Sequence, residues 1–165
     1  MSTPWEEIAD CLRAELADYG GLLHLFEEQQ RSLFERNASV VLELSTAIED
    51  QARELATNRS LRERIVAEFA VAQGLPSTTT LRALLPWIEA DARPLLEALI
   101  DEVNRLLHRV RRASRHNHTL LASAVQVHQE TLQQLRPQAF TRTYAPSGRM
   151  AVTAASTSST LRAAG

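Results

Sequence analysis

The sequence lacks lysine and is poor in cysteine, glycine, proline and aromatic residues. All 18 basic residues are arginine, and the 165 residues include one cysteine, five glycines, six prolines and eight aromatic residues. A single cysteine, Cys11, excludes a disulfide framework and a zinc site built from cysteines. The absence of lysine excludes every mechanism that needs a lysine. So few turn residues argue against a loop-rich all-β fold and against a doubly wound α/β fold.

Long apolar runs are also missing. Nowhere do 18 apolar residues follow one another, and the first ten residues carry three acids and no basic residue. Both features are atypical of membrane spans and secretory signals. Together with the single cysteine, they predict a protein of the reducing cytoplasm that does not insert into a membrane.

Leucine and alanine contribute 24 residues each, and their spacing predicts helices. Apolar residues recur every three or four positions, and two long stretches, 22–73 and 95–136, contain neither glycine nor proline. The predicted helices are 4–35, 39–73, 78–91 and 94–136. Three long helices and one short helix predict an all-α fold, an elongated antiparallel helical bundle with coiled-coil character.

Local signals place the ends of these helices. Asn37 is a good N-cap for the second helix, and the threonines before Leu81 are typical of another helix start. Gly74 stops the second helix, and Pro86 should kink or restart the third. The apolar seam of the second helix is interrupted by Gln51, Asn58 and Arg62, which predicts a partly hydrated helix.

The composition changes near the C-terminus. Of the last 29 residues, 16 are alanine, serine or threonine. This segment contains no acidic residue and no apolar periodicity. Such a composition cannot bury a core of its own. We therefore predict two parts, a helical bundle domain over residues 1–136 and a flexible Ala/Ser/Thr-rich tail over residues 137–165.

Charge is distributed unevenly along the chain. Residues 1–36 carry eight acids and three arginines, whereas residues 105–165 carry one acid and nine arginines. Five of these arginines fall within 105–115, a cluster that could neutralise nucleic-acid phosphates. The favoured interpretation is that they pair with the acidic first helix inside the bundle. We therefore predict no nucleic-acid partner.

Candidate catalytic and metal-binding residues are few. His118 begins a segment like the phosphoacceptor helix of histidine phosphotransfer domains, but Leu121 and Ala122 stand where that family has lysine and glycine. A helical domain of that kind is the least favoured alternative. No pair of the five histidines has convincing ligand spacing. The sequence thus predicts no enzyme activity, no metal and no cofactor.

Asn117 occupies a core position in the heptad repeat of the last helix. A polar residue there either sets the register between helices or offers a donor to a bound backbone. Periodicity alone favours neither alternative.

Three short segments resemble the FlgN family of flagellar export chaperones. They are Arg115-His-Asn-His-Thr-Leu-Leu121, Leu135-Arg-Pro137 and Thr143-Tyr-Ala-Pro-Ser-Gly148. The family's asparagine and leucine pair correspond to Asn117, Leu120 and Leu121. Its tail tyrosine and second glycine correspond to Tyr144 and Gly148, but Ala145 replaces its first glycine.

The resemblance implies a cytoplasmic chaperone without enzymatic activity. Its partners would be hook-associated export substrates, bound through amphipathic helical segments, and a component of the flagellar export gate. The expected partner-binding residues are Asn117, Leu120, Leu121, Val125, Leu132, Leu135, Tyr144 and Gly148. Independently, long helices with partly unsatisfied seams suit helix-in-groove recognition by a monomer or homodimer. The alternative is a structural or adaptor coiled-coil bundle that self-associates.

Overall fold

The computed structural model describes residues 3–135, 140–144 and 150–154. Three long helices dominate it: α1 (Pro4–Phe34), α2 (Ala38–Ala72) and α4 (Arg93–Leu135). Between α2 and α4 lies one short helix, α3 (Leu81–Leu84), continued by a 3-10 turn (Leu85–Trp87). The prediction of an all-α bundle is confirmed. Its elongated antiparallel layout as a whole stays a prediction.

The prediction of a third helix over residues 78–91 is wrong in extent. Thr80 caps α3 by accepting a hydrogen bond from the backbone nitrogen of Ala83 at 3.3 Å, but the α-helix lasts one turn. Pro86 lacks the N–H needed to continue it, and the backbone becomes extended at Ile88. Arg93 then donates hydrogen bonds to the carbonyls of Pro86 and Ile88, both at 2.9 Å. These bonds connect the 3-10 turn to the start of α4.

The C-terminal ends of α1 and α2 show the same capping geometry. At Gly74, with φ of 73°, α2 ends in two backbone bonds, from Gly74 to Val71 and from Leu75 to Ala70. This is the Schellman arrangement, as expected for a glycine stop. Arg36 takes the same left-handed conformation after α1, with φ of 57°. The sequence carries no glycine to announce that second turn.

The core is formed mainly by residues of α1 and α4, and α3 and the 3-10 turn contribute Leu81, Leu84 and Leu85 to it. Its largest fully buried apolar side chains are Ile8, Leu12, Leu84 and Leu96. By contrast, α2 buries only Val41, Val66 and Ala70 over its 35 residues. The expectation of a partly hydrated second helix agrees with this pattern.

Polar side chains hold α2 against α1. Glu15 is bonded to Arg62, with Arg62 Nε donating to Glu15 Oε1 at 2.5 Å. Asp18 accepts from Gln51 at 3.0 Å and from Asn58 at 2.6 Å. The three residues that interrupt the seam of α2 therefore all bond it to α1. Because residue numbers fall along α1 as they rise along α2, these two helices run in opposite directions.

The chain divides into two compact units, Met1–Leu120 and Leu121–Gly165. The second unit contains the end of α4 and two strands, β1 (Phe140–Tyr144) and β2 (Met150–Ala154), which pair antiparallel with Phe140 opposite Ala154. This hairpin was not expected from the sequence. The predicted domain boundary at residue 136 and the flexibility of the tail stay predictions.

Candidate protein-binding surfaces

The apolar seam of α4 changes from buried to exposed along the helix. Its heptad positions Leu96, Val103, Val110 and Asn117 are all buried. Leu120 and Leu121 are half-buried, and every side chain from Ala122 to Leu135 is exposed. Asn117 is therefore the last buried residue of α4. The apolar pattern of the sequence continues for about 27 Å after it, at 1.5 Å per residue.

Four predicted partner-binding residues share one face of this exposed segment. With 100° per residue, Leu121, Val125, Leu132 and Leu135 fall within about 80° of arc. We call these four residues the α4 stripe. Val125 is 56% exposed, Leu132 46% and Leu135 73%. Large apolar side chains repeated on one helix face are typical of a binding surface.

The other predicted site residues lie elsewhere. Leu120 is rotated about 100° from Leu121 and so sits beside the stripe rather than in it. Tyr144 ends β1, where its backbone pairs with Met150. Gly148 lies outside the described residues. The binding roles of Leu120, Tyr144 and Gly148 stay predictions.

Asn117 is bonded within the bundle. Its amide nitrogen donates to the carbonyl of Phe26 and to Gln29 Oε1, each at 2.9 Å. Its amide oxygen accepts from Gln30 at 2.6 Å. Only 1% of Asn117 is exposed. This geometry supports the register alternative, and a direct role in partner binding stays a prediction.

A groove that the sequence did not predict runs between α1, α2 and α4. It has a volume of about 590 Å³. Its floor is formed by Tyr19, Leu22 and Phe26 of α1. The remaining lining residues are Ile48, Ala52, Leu55, Ala56 and Arg59 of α2 and Leu107, Val110, Arg111, Ser114 and Arg115 of α4. We call this the α1/α2/α4 groove. The signal available in the sequence was the pair Ala52 and Ala56, small residues four positions apart that leave space on one face of α2.

The arginine cluster of α4, within residues 105–115, does not pair with the acids of α1. Within residues 3–135, no ion pair joins α1 to α4: Asp10 and Glu28 pair with arginines of α1 itself, and Glu15 pairs with Arg62 of α2. Arg105 pairs with Glu102 of its own helix, and Arg109, Arg111, Arg112 and Arg115 are exposed without an acidic partner there. The prediction of complementary pairing inside the bundle is wrong.

Titratable groups in the described part of the chain form no metal site, since no three His, Cys, Asp or Glu residues cluster there. Burial raises the pKa of the Cys11 thiol above its ordinary 9.0, and nearby Glu15 adds to the shift. Burial likewise raises the pKa of Tyr19. Both shifts disfavour the reactive anions. Among these residues no helix is both long and apolar enough to cross a bilayer.

Comparison with known proteins gives one match. The family model described as FlgN protein matches residues 1–151. No curated protein matches the chain. No solved structure matches it.

Proposed function

The chain belongs to the FlgN family of flagellar export chaperones, and on this basis we propose that it binds hook-associated proteins in the cytoplasm and delivers them to the export gate. The family match over residues 1–151 supports the chaperone class. The observation that supports client binding is the α4 stripe. In this proposal the chain works as a monomer or homodimer and performs no chemistry.

The α4 stripe has the properties that helix recognition requires. Leu121, Val125 and Leu132 are spaced by four and seven residues, so a partner helix can place its own apolar residues between them. Burying apolar surface contributes about 25 cal/mol of favourable free energy per Å². The exposed leucines of the stripe therefore contribute most to the binding free energy when a partner covers them. A hook-associated protein that presents an amphipathic helical segment would cover them.

The charge of this segment also suits a protein client. Between Leu121 and Leu135 the only ionisable acid is Glu130, and the segment contains no arginine. Nearly all of the polar residues are uncharged, so covering this helix requires little desolvation of charge. Specificity would then come from the fit of apolar side chains.

A single substitution tests the proposal. Leu132→Arg should weaken capture of a co-expressed hook-associated protein by at least about tenfold, because the bound complex would bury an unpaired charge. Leu132 is 46% exposed in the free protein, so the substitution should not disturb the fold. The circular dichroism of the variant should match that of the unsubstituted chain. Co-purification followed by titration calorimetry measures the effect.

The matched control is Gln134→Arg. Residue 134 lies about 160° from residue 132 around the helix, so the same charge is added away from the stripe. Client capture should be unchanged. Equal losses from both variants, or no loss from Leu132→Arg, would contradict client binding by the stripe. Light scattering distinguishes the adaptor alternative: self-assembly that depends on Leu132 without any captured client would favour it.

Delivery to the export gate is the finer part of the proposal and concerns the segment after α4. By resemblance to the family, Tyr144 contacts the client or the gate. It lies at the end of a strand, and aromatic residues are frequent anchors of small interfaces. This support is independent of the α4 stripe, so capture and delivery can fail separately.

A further inference from the structure

The α1/α2/α4 groove is separate from the α4 stripe and is lined by residues 19–115 only. Its floor is apolar, and its α2 wall contains the small side chains Ala52 and Ala56, both exposed. Three helices that leave a gap of this kind resemble a four-helix bundle without its fourth member. The groove therefore has the form of a seat for one additional helix.

The dimensions of the groove limit what it can hold. On α2 the lining extends from Ile48 to Arg59, about 16 Å at 1.5 Å per residue, which equals three helical turns. On α4 it extends from Leu107 to Arg115, about 12 Å. A helix of two to three turns with apolar residues at three- and four-residue spacing matches this length.

The charges of the groove specify the partner further. Its lining contains three arginines and no acid. Arg59 is already paired with Glu63 at 2.8 Å. Arg111 and Arg115 are one helical turn apart, exposed, and without an acidic partner among the described residues. Two glutamates or aspartates spaced by four residues on a partner helix could pair with them.

We propose that the α1/α2/α4 groove seats a short acidic amphipathic helix of a partner protein, with its apolar face on the half-buried Ile48, Leu55 and Leu107 and its acids on Arg111 and Arg115. This second site does not depend on the proposed function. An apolar floor with a cationic rim selects both a sequence pattern and a sign of charge. Neither property alone would distinguish the partner from other helices or other anions.

The probe for this site is a labelled synthetic helix of three turns, with leucines at three- and four-residue spacing and glutamates flanking them. Fluorescence anisotropy with the full chain measures its affinity. Arg111→Glu with Arg115→Glu should weaken binding at least about tenfold, since the variant loses two charge-assisted contacts and places like charges opposite the acids of the probe. The same variant should bind a probe in which lysines replace the glutamates.

The matched control is Arg109→Glu with Arg112→Glu, the same change of charge on exposed residues of the same helix that do not line the groove. It should leave the affinity for the acidic probe within about twofold, as expected for exposed charges outside a contact. Equal losses from both double variants would indicate diffuse attraction to the arginine cluster and overturn the proposal. Competition by single-stranded RNA that depends equally on all four arginines would do the same.

A steric variant tests the seat without changing charge. Ala56→Trp places a large side chain in the groove at an exposed position, so the fold should persist while probe binding is lost. Probe binding that survives Ala56→Trp would contradict the assigned location. Leu132→Arg should leave probe binding unchanged, so failure of this site and failure of client capture by the α4 stripe are distinguishable.

Discussion

Asn117 of α4 donates its side-chain amide to Gln29 of α1 at 2.9 Å. Gln29 in turn donates to the hydroxyl of Ser45 in α2 at 2.9 Å. One chain of side-chain hydrogen bonds thus connects all three long helices at a single level of the bundle. Because buried polar groups cost free energy when unpaired, this chain opposes any shift of one helix along another.

Replacing Asn117 by leucine should therefore destabilise the bundle, although a leucine side chain is more hydrophobic than that of asparagine. Asn117→Leu leaves the Phe26 carbonyl and the amides of Gln29 and Gln30 without their partner, and we expect the free energy of unfolding to fall by about 1–3 kcal/mol. Urea titration measures this loss. Asn104→Leu, at an exposed position of the same helix, should change it little. An undiminished free energy for Asn117→Leu would show that the network does not set the register.

The Glu15–Arg62 pair should be costly to break on one side only. Glu15 is 1% exposed and Arg62 18%, so Arg62→Met leaves a buried carboxylate without a counter-ion. We expect the free energy of unfolding to fall by about 3–5 kcal/mol. Adding Glu15→Leu should restore most of it, because no charge then remains buried. A double variant as unstable as Arg62→Met alone would refute this account.

The adjacent glycines of α1 should respond differently to alanine. Nothing lies within 4 Å of a Cβ added at Gly20, whereas a Cβ at Gly21 would lie 3.2 Å from Gln51 Oε1. Gln51 is held by its bond to Asp18. We expect Gly20→Ala to raise the free energy of unfolding by up to about 1 kcal/mol through helix propensity. Gly21→Ala should gain less, and equal gains in chemical denaturation would show that Gln51 can move freely.

Alkaline pH should destabilise the protein partly through Cys11. Burial, with Glu15 next, raises the pKa of the thiol above its ordinary 9.0, so folding favours the protonated form. Its stabilising contribution is complete below pH 9.0 and is lost as pH rises through the folded pKa. Cys11→Ala should reduce the fall in the free energy of unfolding across that range. Identical pH profiles for both proteins would contradict the shift.

Removing residues 138–165 should separate stability from delivery. We expect a melting temperature close to that of the full chain and a reduced export of hook-associated proteins in cells. Tyr144→Ala should reproduce most of the export defect, whereas Thr143→Ala in the same strand should not. Normal export by the truncated chain would remove this segment from the mechanism.

The helices and their ends could be derived from the sequence because they depend on local chemistry. Asn37 caps α2 by accepting from the nitrogen of Val40, and Gly74 ends it, both as the residue types predict. The short third helix was extended too far because one threonine cap and one apolar face say little about how soon Pro86 ends the α-helix. The pairing of residues 140–144 with residues 150–154 was missed because the Ala/Ser/Thr-rich composition of that segment predicts a tail without secondary structure.

The α4 stripe was partly predictable, since its leucines continue a heptad pattern that is visible in the sequence. Which part of that pattern is buried was decided only by the tertiary structure, because it depends on which residues of α1 and α2 lie beside each turn of α4. The same holds for charge. The sequence determined that acids come first and arginines last, but the structure pairs Glu15 with α2 and leaves Arg111 and Arg115 beside a groove. Charge pairing depends on distances between side chains remote in sequence, and those distances exist only after the helices have packed.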